Sequence, residues 1–212
     1  MNKKDSTQKA LNLWAVILIV WSIYRANLHL PEWFDEFIAK PIVFIFPVIY
    51  YIRKIEKNSF FTGINWKLRS PVEDYLIGVV IGGLFFSVAI SSKIIKGQSV
   101  NIHLLLIGYF SLIALATAIS EEILSRGFVL NRLYQQSNNV LTSSLYASFL
   151  FFFLHVPILF TTVRLNGYAI IFIMMTDLVY SMTSSLLFLE RKNLLPSILV
   201  QAFYNFTLYL FI

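Results

Sequence analysis

Apolar residues along this chain fall into long runs that are separated by short charged or turn-forming stretches. Seven such runs can be distinguished, at about residues 10–24, 37–52, 75–92, 103–119, 141–160, 168–189 and 194–212. Most of them approach the roughly 20 apolar residues that an α-helix needs to cross the hydrocarbon core of a bilayer. The pattern predicts an all-α bundle of about seven membrane-spanning helices. Six or eight are the alternatives, because the first two runs are short.

The composition indicates a polytopic integral membrane protein. The 212 residues are 58% hydrophobic and 13% charged, with a mean hydropathy of +0.71, whereas soluble domains carry about 25% charged residues. Helices of this length use nearly the whole chain, so we expect one membrane domain over residues 1–212. Within it, residues 1–102 form less diagnostic N-terminal helices, and residues 103–212 carry the candidate chemistry. The absence of cysteine excludes a thiol nucleophile and a thiolate metal site.

The formal net charge of +6 comes from basic residues that lie between apolar runs rather than on one face. We therefore expect them to set the topology, and we expect no nucleic-acid partner. A cytoplasmic N-terminus puts twelve of the 17 Lys and Arg residues inside, which favours that orientation. The outer side then holds Arg25, Lys40, Lys93, Lys96 and Arg164, and an acidic loop with Glu32, Asp35 and Glu36. The expected location is a cell membrane, and the compact chain, rich in Lys, Ile, Asn and Phe, favours a prokaryotic one.

The fourth apolar run continues as a helix beyond its polar residues. Helix-forming residues extend past Glu121 as far as the turn-forming residues 135–139, so we predict one helix of about 30 residues. Glu122 and Arg126 are four apart with the acid first, which favours a helical ion pair. Glu121 points about 100° away from its neighbour and can face a cavity. Two alternatives remain, namely charges that reach water at the membrane interface and a new helix capped by Ser120.

Three other polar intrusions interrupt apolar sequence. His155 lies in FLFFFLHVPI, Asp177 lies in MMTDLVY, and Gln201 and Asn205 project from one face of the last helix. Taken singly, each is explained by hydrogen bonding between packed helices, or for Asp177 by a solvated cavity. Taken together, carboxylate, imidazole and carboxamide groups on three helices could meet in one polar cavity. Such a set can activate water, move a proton and stabilise an oxyanion.

In order and spacing these residues resemble the CAAX protease and bacteriocin-processing family of intramembrane endopeptidases. The family pattern is Glu-Glu-x-x-x-Arg, then Phe-x-x-x-His, then His-x-x-x-Asn or Asp, on successive helices. The corresponding segments are Glu121-Glu122-Ile123-Leu124-Ser125-Arg126, Phe151-Phe152-Phe153-Leu154-His155 and Gln201-Ala202-Phe203-Tyr204-Asn205. The resemblance covers about residues 103–212. It departs from the pattern at Gln201, where the family usually has histidine.

The resemblance implies hydrolysis of a peptide bond near the cytoplasmic face. The catalytic residues that it implies are Glu121, His155, Gln201 and Asn205, and the supporting ion pair is Glu122 with Arg126. Glu121 would take a proton from water, aided by His155, and the hydroxide would attack the peptide carbonyl. The two carboxamides would hold the developing oxyanion.

Gln201 also bears on the cofactor, because members of the family have been described both as metalloproteases and as glutamate proteases. A carboxamide is a poor ligand for zinc but a competent oxyanion donor. A divalent metal such as zinc would keep only Glu121, His155 and Asn205 as ligands. We therefore expect a mechanism without a metal.

The partners implied are the lipid bilayer and a peptide or protein substrate. In the family, substrates include prenylated CAAX tails, bacteriocin or pheromone precursors and other membrane proteins, and nothing in the sequence selects among them. A second hypothesis is a catalytically inactive relative that acts as a membrane adaptor or a bacteriocin self-immunity protein. A third is a small transporter, which predicts internal pseudo-symmetry and helices broken by Gly or Pro. Neither of those patterns is clear in the sequence.

Overall fold

The computed structural model describes residues 3–28, 30–67, 72–95, 104–161 and 167–209, and all regular structure in them is helical. The helices are α1 (Lys3–Asn27), α2 (residues 32–55), α3 (Phe60–Gly63), α4 (Val72–Ile95), α5 (residues 104–137), α6 (Val140–Thr161), α7 (Gly167–Arg191) and α8 (Leu195–Tyr209). The all-α prediction is confirmed. The seven long helices match the seven apolar runs in order, and only the short α3 was not predicted.

The surface of the bundle has the polarity expected of a membrane protein. Within the described residues, the helices long and apolar enough to cross a membrane are α1 over Lys4–Asn27, α4 over Val72–Ser92 and α5 over Leu106–Ser137. Large apolar side chains point outwards, such as Leu84 at 62% and Val88 at 70% exposure, while many carboxylates and serines are buried. This is the reverse of the arrangement in water-soluble proteins. The chain is therefore a helical membrane bundle.

Helix α5 is the long helix expected from the sequence. It is α-helical as far as Glu122, has π-helical turns over Ile123–Leu130 and ends as an α-helix over Asn131–Ser137. The alternative in which Ser120 caps a new helix is wrong, because the helix passes through that residue. All of residues 120–132 are buried, so the alternative of charges reaching water at the interface is also wrong. The charged motif lies in the interior of the bundle.

Helix α2 corrects the prediction for the acidic segment. Glu32, Asp35, Glu36 and Lys40 were expected in or beside an outer loop, but all four lie in a helix, and the last three are buried. The helix contains π-helical turns over Asp35–Ala39, Pro41–Ile45 and Tyr51–Ile55. One of these turns begins at Pro41, which cannot donate the backbone hydrogen bond of a regular α-turn. The loop prediction fails because the buried charges are paired, which offsets their desolvation.

Helices α4 and α8 pack closely through two glycines. A Cβ atom on Gly78 would lie 2.9 Å from Cβ of Leu199, and a Cβ atom on Gly82 would lie 2.7 Å from Cδ2 of Phe203. Small residues four apart allow membrane helices to approach each other in this way. The contact fixes the position of α8, the helix that carries the third motif.

Candidate active site

Glu121 lies where four helices meet, and only 4% of it is exposed. Nζ of Lys40 on α2 donates a hydrogen bond of 2.8 Å to Oε1 of Glu121. Nε2 of Gln201 on α8 donates one of 2.5 Å to Oε2, and Nε2 of His155 on α6 lies 3.5 Å from the same oxygen. The structure thus brings together three of the four residues that the resemblance assigns to catalysis, and it adds Lys40.

Lys40 is the functional candidate that the sequence reasoning missed. Its Nζ lies 2.7 Å from Oε2 of Glu36, and Oγ1 of Thr117 donates a hydrogen bond of 2.6 Å to that same oxygen. The ammonium group is therefore buried between the carboxylates of Glu36 and Glu121. The spacing of Glu36 and Lys40 favours a helical ion pair and could have indicated a helix here. The contact with Glu121 had no signal in the sequence, because the two residues are 81 positions apart.

His155 is oriented by its own helix and is the most accessible residue of this group. Its Nδ1 lies 3.1 Å from the carbonyl oxygen of Phe151, and the two rings are 4.6 Å apart. A carbonyl oxygen only accepts, so Nδ1 carries the proton and Nε2 is directed to the carboxylate of Glu121. The side chain of His155 is 25% exposed. The imidazole is therefore the most accessible group in contact with the enclosed carboxylate.

The two carboxamides of α8 differ in their hydrogen bonds. Gln201 directs its NH2 group to Glu121, which leaves Oε1 of Gln201 buried and without a partner in the described part of the chain. Asn205 is 8% exposed, and its Nδ2 is likewise buried without a partner there. Buried polar atoms in folded proteins nearly always have a hydrogen-bond partner. One free acceptor and one free donor, a helical turn apart, are suited to a bound peptide group.

Glu122 and Arg126 form the ion pair that their spacing predicts. Nη1 of Arg126 lies 2.8 Å from Oε1 of Glu122, and both side chains are fully buried. The hydroxyl of Tyr180 donates a hydrogen bond of 2.7 Å to the same carboxylate oxygen, and Ser184 donates one of 3.2 Å. Tyr180 and Ser184 both lie on α7, so the ion pair joins α5 to α7.

Arg126 also connects the first two motifs. Its guanidinium lies 4.2 Å from the ring centroid of Phe151, a cation–π contact with the first residue of the second motif. Its Nη2 donates a hydrogen bond of 2.8 Å to Oγ of Ser181 on α7. Phe151 in turn contacts His155, so one aromatic ring links the arginine to the imidazole.

Asp177 is held between helices by a hydrogen bond. The hydroxyl of Tyr204 on α8 donates a hydrogen bond of 2.6 Å to Oδ1 of Asp177 on α7. The ring of Tyr204 is stacked on that of Tyr180, with centroids 4.8 Å apart. Of the two interpretations that the sequence left open, the packing hydrogen bond is the one observed.

The residues at Glu121 do not suit a divalent metal. Within the described ranges, no group of three His, Cys, Asp or Glu side chains could hold a metal ion. Of the ligands left by the resemblance, Glu121 already faces the ammonium of Lys40, and a metal there would meet its like charge. Gln201 turns a donor rather than an oxygen towards the carboxylate.

Comparison with known proteins gives one family. A family model described as type II CAAX prenyl endopeptidase Rce1-like matches residues 102–207, which is half of the chain. The matched segment contains all three motifs, whereas α2 and Lys40 precede it. No curated protein and no solved structure gives a significant match.

Proposed function

The chain belongs to the type II CAAX prenyl endopeptidase family, a family of intramembrane peptidases, and we propose that it hydrolyses a peptide bond with a water molecule activated by Glu121. The observation that carries this proposal is the contact of Glu121 with His155 and Gln201, which come from three different helices. A carboxylate beside an imidazole is a competent base for water.

In the proposed reaction, water enters along His155 and gives a proton to Oε2 of Glu121. The hydroxide oxygen then forms a bond to the carbonyl carbon, and the peptide C–N bond breaks when the tetrahedral intermediate collapses. The proton passes from Glu121, or through His155, to the departing amine nitrogen. Lys40 and Gln201 hold the carboxylate of Glu121 in a fixed orientation throughout, which places the base before the substrate arrives.

The developing oxyanion is stabilised by Nδ2 of Asn205. This donor is preferred because it is buried and has no other partner among the residues that the structure describes, whereas the NH2 group of Gln201 is already directed to Glu121. A donor that is fixed before the reaction stabilises the oxyanion strongly in a site that excludes water. Gln201 thus positions the base, and its free Oε1 is available to accept the N–H of a substrate peptide. The reaction needs no metal, since the donor set around Glu121 does not fit one.

The proposed setting is a cell membrane of a prokaryote, which the chain crosses several times with its N-terminus in the cytoplasm. The partners are the lipid bilayer and a peptide or protein substrate. Candidate substrates are prenylated tails, peptide precursors and other membrane proteins. No nucleic acid is involved.

The test is cleavage of a fluorogenic library of membrane peptides by the purified full chain in detergent. Glu121→Gln and His155→Ala are each expected to lower the rate by about 10²–10⁴, the range typical of a lost acid–base group. Glu73→Gln is the matched control, because that carboxylate is largely exposed on α4. Its rate should equal that of the wild type. Cleavage by wild type should persist in chelator, and cleavage lost in chelator and restored by zinc would contradict the metal-free reaction.

A catalytically inactive relative that acts as a membrane adaptor or self-immunity protein is the second candidate. The observation that favours it is the occupancy of both oxygens of Glu121, by Lys40 on one side and Gln201 on the other. In that case the wild type cleaves no library peptide, and Glu121→Gln retains the partner-dependent phenotype. Cleavage that depends on Glu121 excludes this candidate.

A further inference from the structure

The site contains a positive charge on a residue that belongs to none of the three motifs. Nζ of Lys40 lies 2.8 Å from Glu121 and 2.7 Å from Glu36, and the lysine is almost completely buried. It comes from α2, which lies outside the residues matched by the family model. Two carboxylates from separate helices therefore converge on one ammonium group.

Carboxylates that converge beside an imidazole are typical ligands of zinc in hydrolases. Here the two carboxylates converge on Lys40 at Oε1 of Glu121, while Gln201 offers an N–H rather than a lone pair to Oε2, the oxygen that His155 faces. We propose that the Lys40 ammonium is the resident cation of this site, which positions Glu121 as a carboxylate and excludes a divalent metal ion. This inference goes beyond the proposed function, because it concerns the cation that the site holds and does not require the chain to cleave peptides.

The proposal implies that two substitutions together convert the site into a metal site. Lys40→Met removes the charge and keeps most of the length of the side chain. Gln201→His replaces the amide by an imidazole beside Glu121. With His155, the site then presents two imidazoles and one carboxylate, which is the ligand set of many zinc hydrolases. Gln201→His alone supplies the imidazole but keeps the ammonium, which repels a divalent cation at short range.

The experiment is calorimetric titration of Zn²⁺ into the purified full chain in detergent. The double variant Lys40→Met/Gln201→His should bind one Zn²⁺ at least about 100-fold more tightly than the wild type or Gln201→His. Addition of His155→Ala to the double variant should remove most of this gain, because it deletes a ligand. A structural disturbance alone does not create a new metal site, so the gain in Zn²⁺ affinity reports on removal of the Lys40 ammonium.

Three outcomes would overturn the proposal. The first is wild-type binding of Zn²⁺ that depends on His155 and is as tight as that of the double variant. The second is equal binding by Gln201→His and the double variant. The third is absence of binding by a double variant whose thermal unfolding is cooperative. Should Lys40→Met prevent folding by leaving two carboxylates uncompensated, Glu36→Gln is added to it, and the same comparison is made.

Discussion

Nε2 of Gln201 donates a hydrogen bond of 2.5 Å to Oε2 of Glu121, across two helices and 80 positions of sequence. A carboxylate only accepts hydrogen bonds, so this contact determines which end of the carboxamide faces the glutamate. The relationship makes Gln201 a partner of the proposed base. Of the two carboxamides, Asn205 is then the one whose NH2 group has no partner among the described residues.

We predict that Gln201→Met lowers the free energy of unfolding by about 1.5–3 kcal/mol, because a buried carboxylate loses a hydrogen bond while the volume of the side chain is kept. Thermal unfolding of the purified chain in detergent measures this loss. Gln136→Met is the matched control, since Gln136 is exposed on the last turn of α5, and it should change stability by less than about 0.5 kcal/mol. Equal effects of the two substitutions would contradict the contact.

Asn205→Leu should lower the activity without lowering the stability of the fold. Nδ2 of Asn205 has no partner among the described residues, so its removal costs no hydrogen bond, and the unfolding temperature should stay the same or rise. The cleavage rate should fall by about 10²–10³, the usual loss for one oxyanion donor. Paired unfolding and rate measurements check this.

Thr207→Val is the control for Asn205, because Thr207 lies on the same helix and its hydroxyl donates only to nearby backbone carbonyls of α8 in the described structure. Its cleavage rate should equal that of the wild type. A loss of stability in Asn205→Leu as large as its loss of activity would show a packing role instead.

Arg126→Met should be among the most destabilising single substitutions in the chain. It leaves Glu122 as a buried carboxylate without its cation, which typically costs about 3–5 kcal/mol. Arg53→Met, at an exposed arginine of α2, is the control and should cost less than about 0.5 kcal/mol. Urea or thermal unfolding in detergent compares the two, and similar midpoints would show that the Glu122–Arg126 pair contributes little.

Gly78→Ala and Gly83→Ala form a matched pair on α4. A Cβ atom at Gly78 would lie 3.1 Å from Cα of Pro196, whose backbone cannot move aside easily, whereas the same atom at Gly83 meets nothing within 4 Å. Gly78→Ala should therefore lower the unfolding temperature and disturb α8. Gly83→Ala should leave it unchanged or raise it, because alanine favours a helix by up to about 1 kcal/mol over glycine. The reverse order would show that α4 and α8 do not pack as described.

Local sequence relationships predicted much of this structure. The apolar runs indicated the seven long helices, and the spacing of four between Glu122 and Arg126 indicated an ion pair that is present. The long α5 was also predictable, because no proline lies between Glu121 and the turn at residues 135–139 and Gly127 is the single glycine there. In each case the groups involved are close in sequence, so their spacing along the chain is enough to predict the helix or the ion pair.

Contacts between distant segments could not be predicted in the same way. Lys40 next to Pro41 looks like a membrane-surface residue until its partner Glu121, 81 positions away, is placed beside it. The short α3 has too few residues for a helical repeat of apolar positions to be recognised in the sequence. Its neighbour Ile64 can approach α5 only because Gly127 lacks a side chain, since a Cβ there would lie 2.9 Å from that of Ile64. Such relationships arise from packing in three dimensions.

The counter-ion of Glu121 is supplied by a helix that precedes the motif-bearing half of the chain. A chimera that kept residues 104–209 and took its first half from another member would retain every motif, yet its glutamate would face a different electrostatic neighbour. Motif identity therefore does not define the chemistry of such a site. In this chain, the mechanism is described in full only when the side chain that α2 directs at the carboxylate is included.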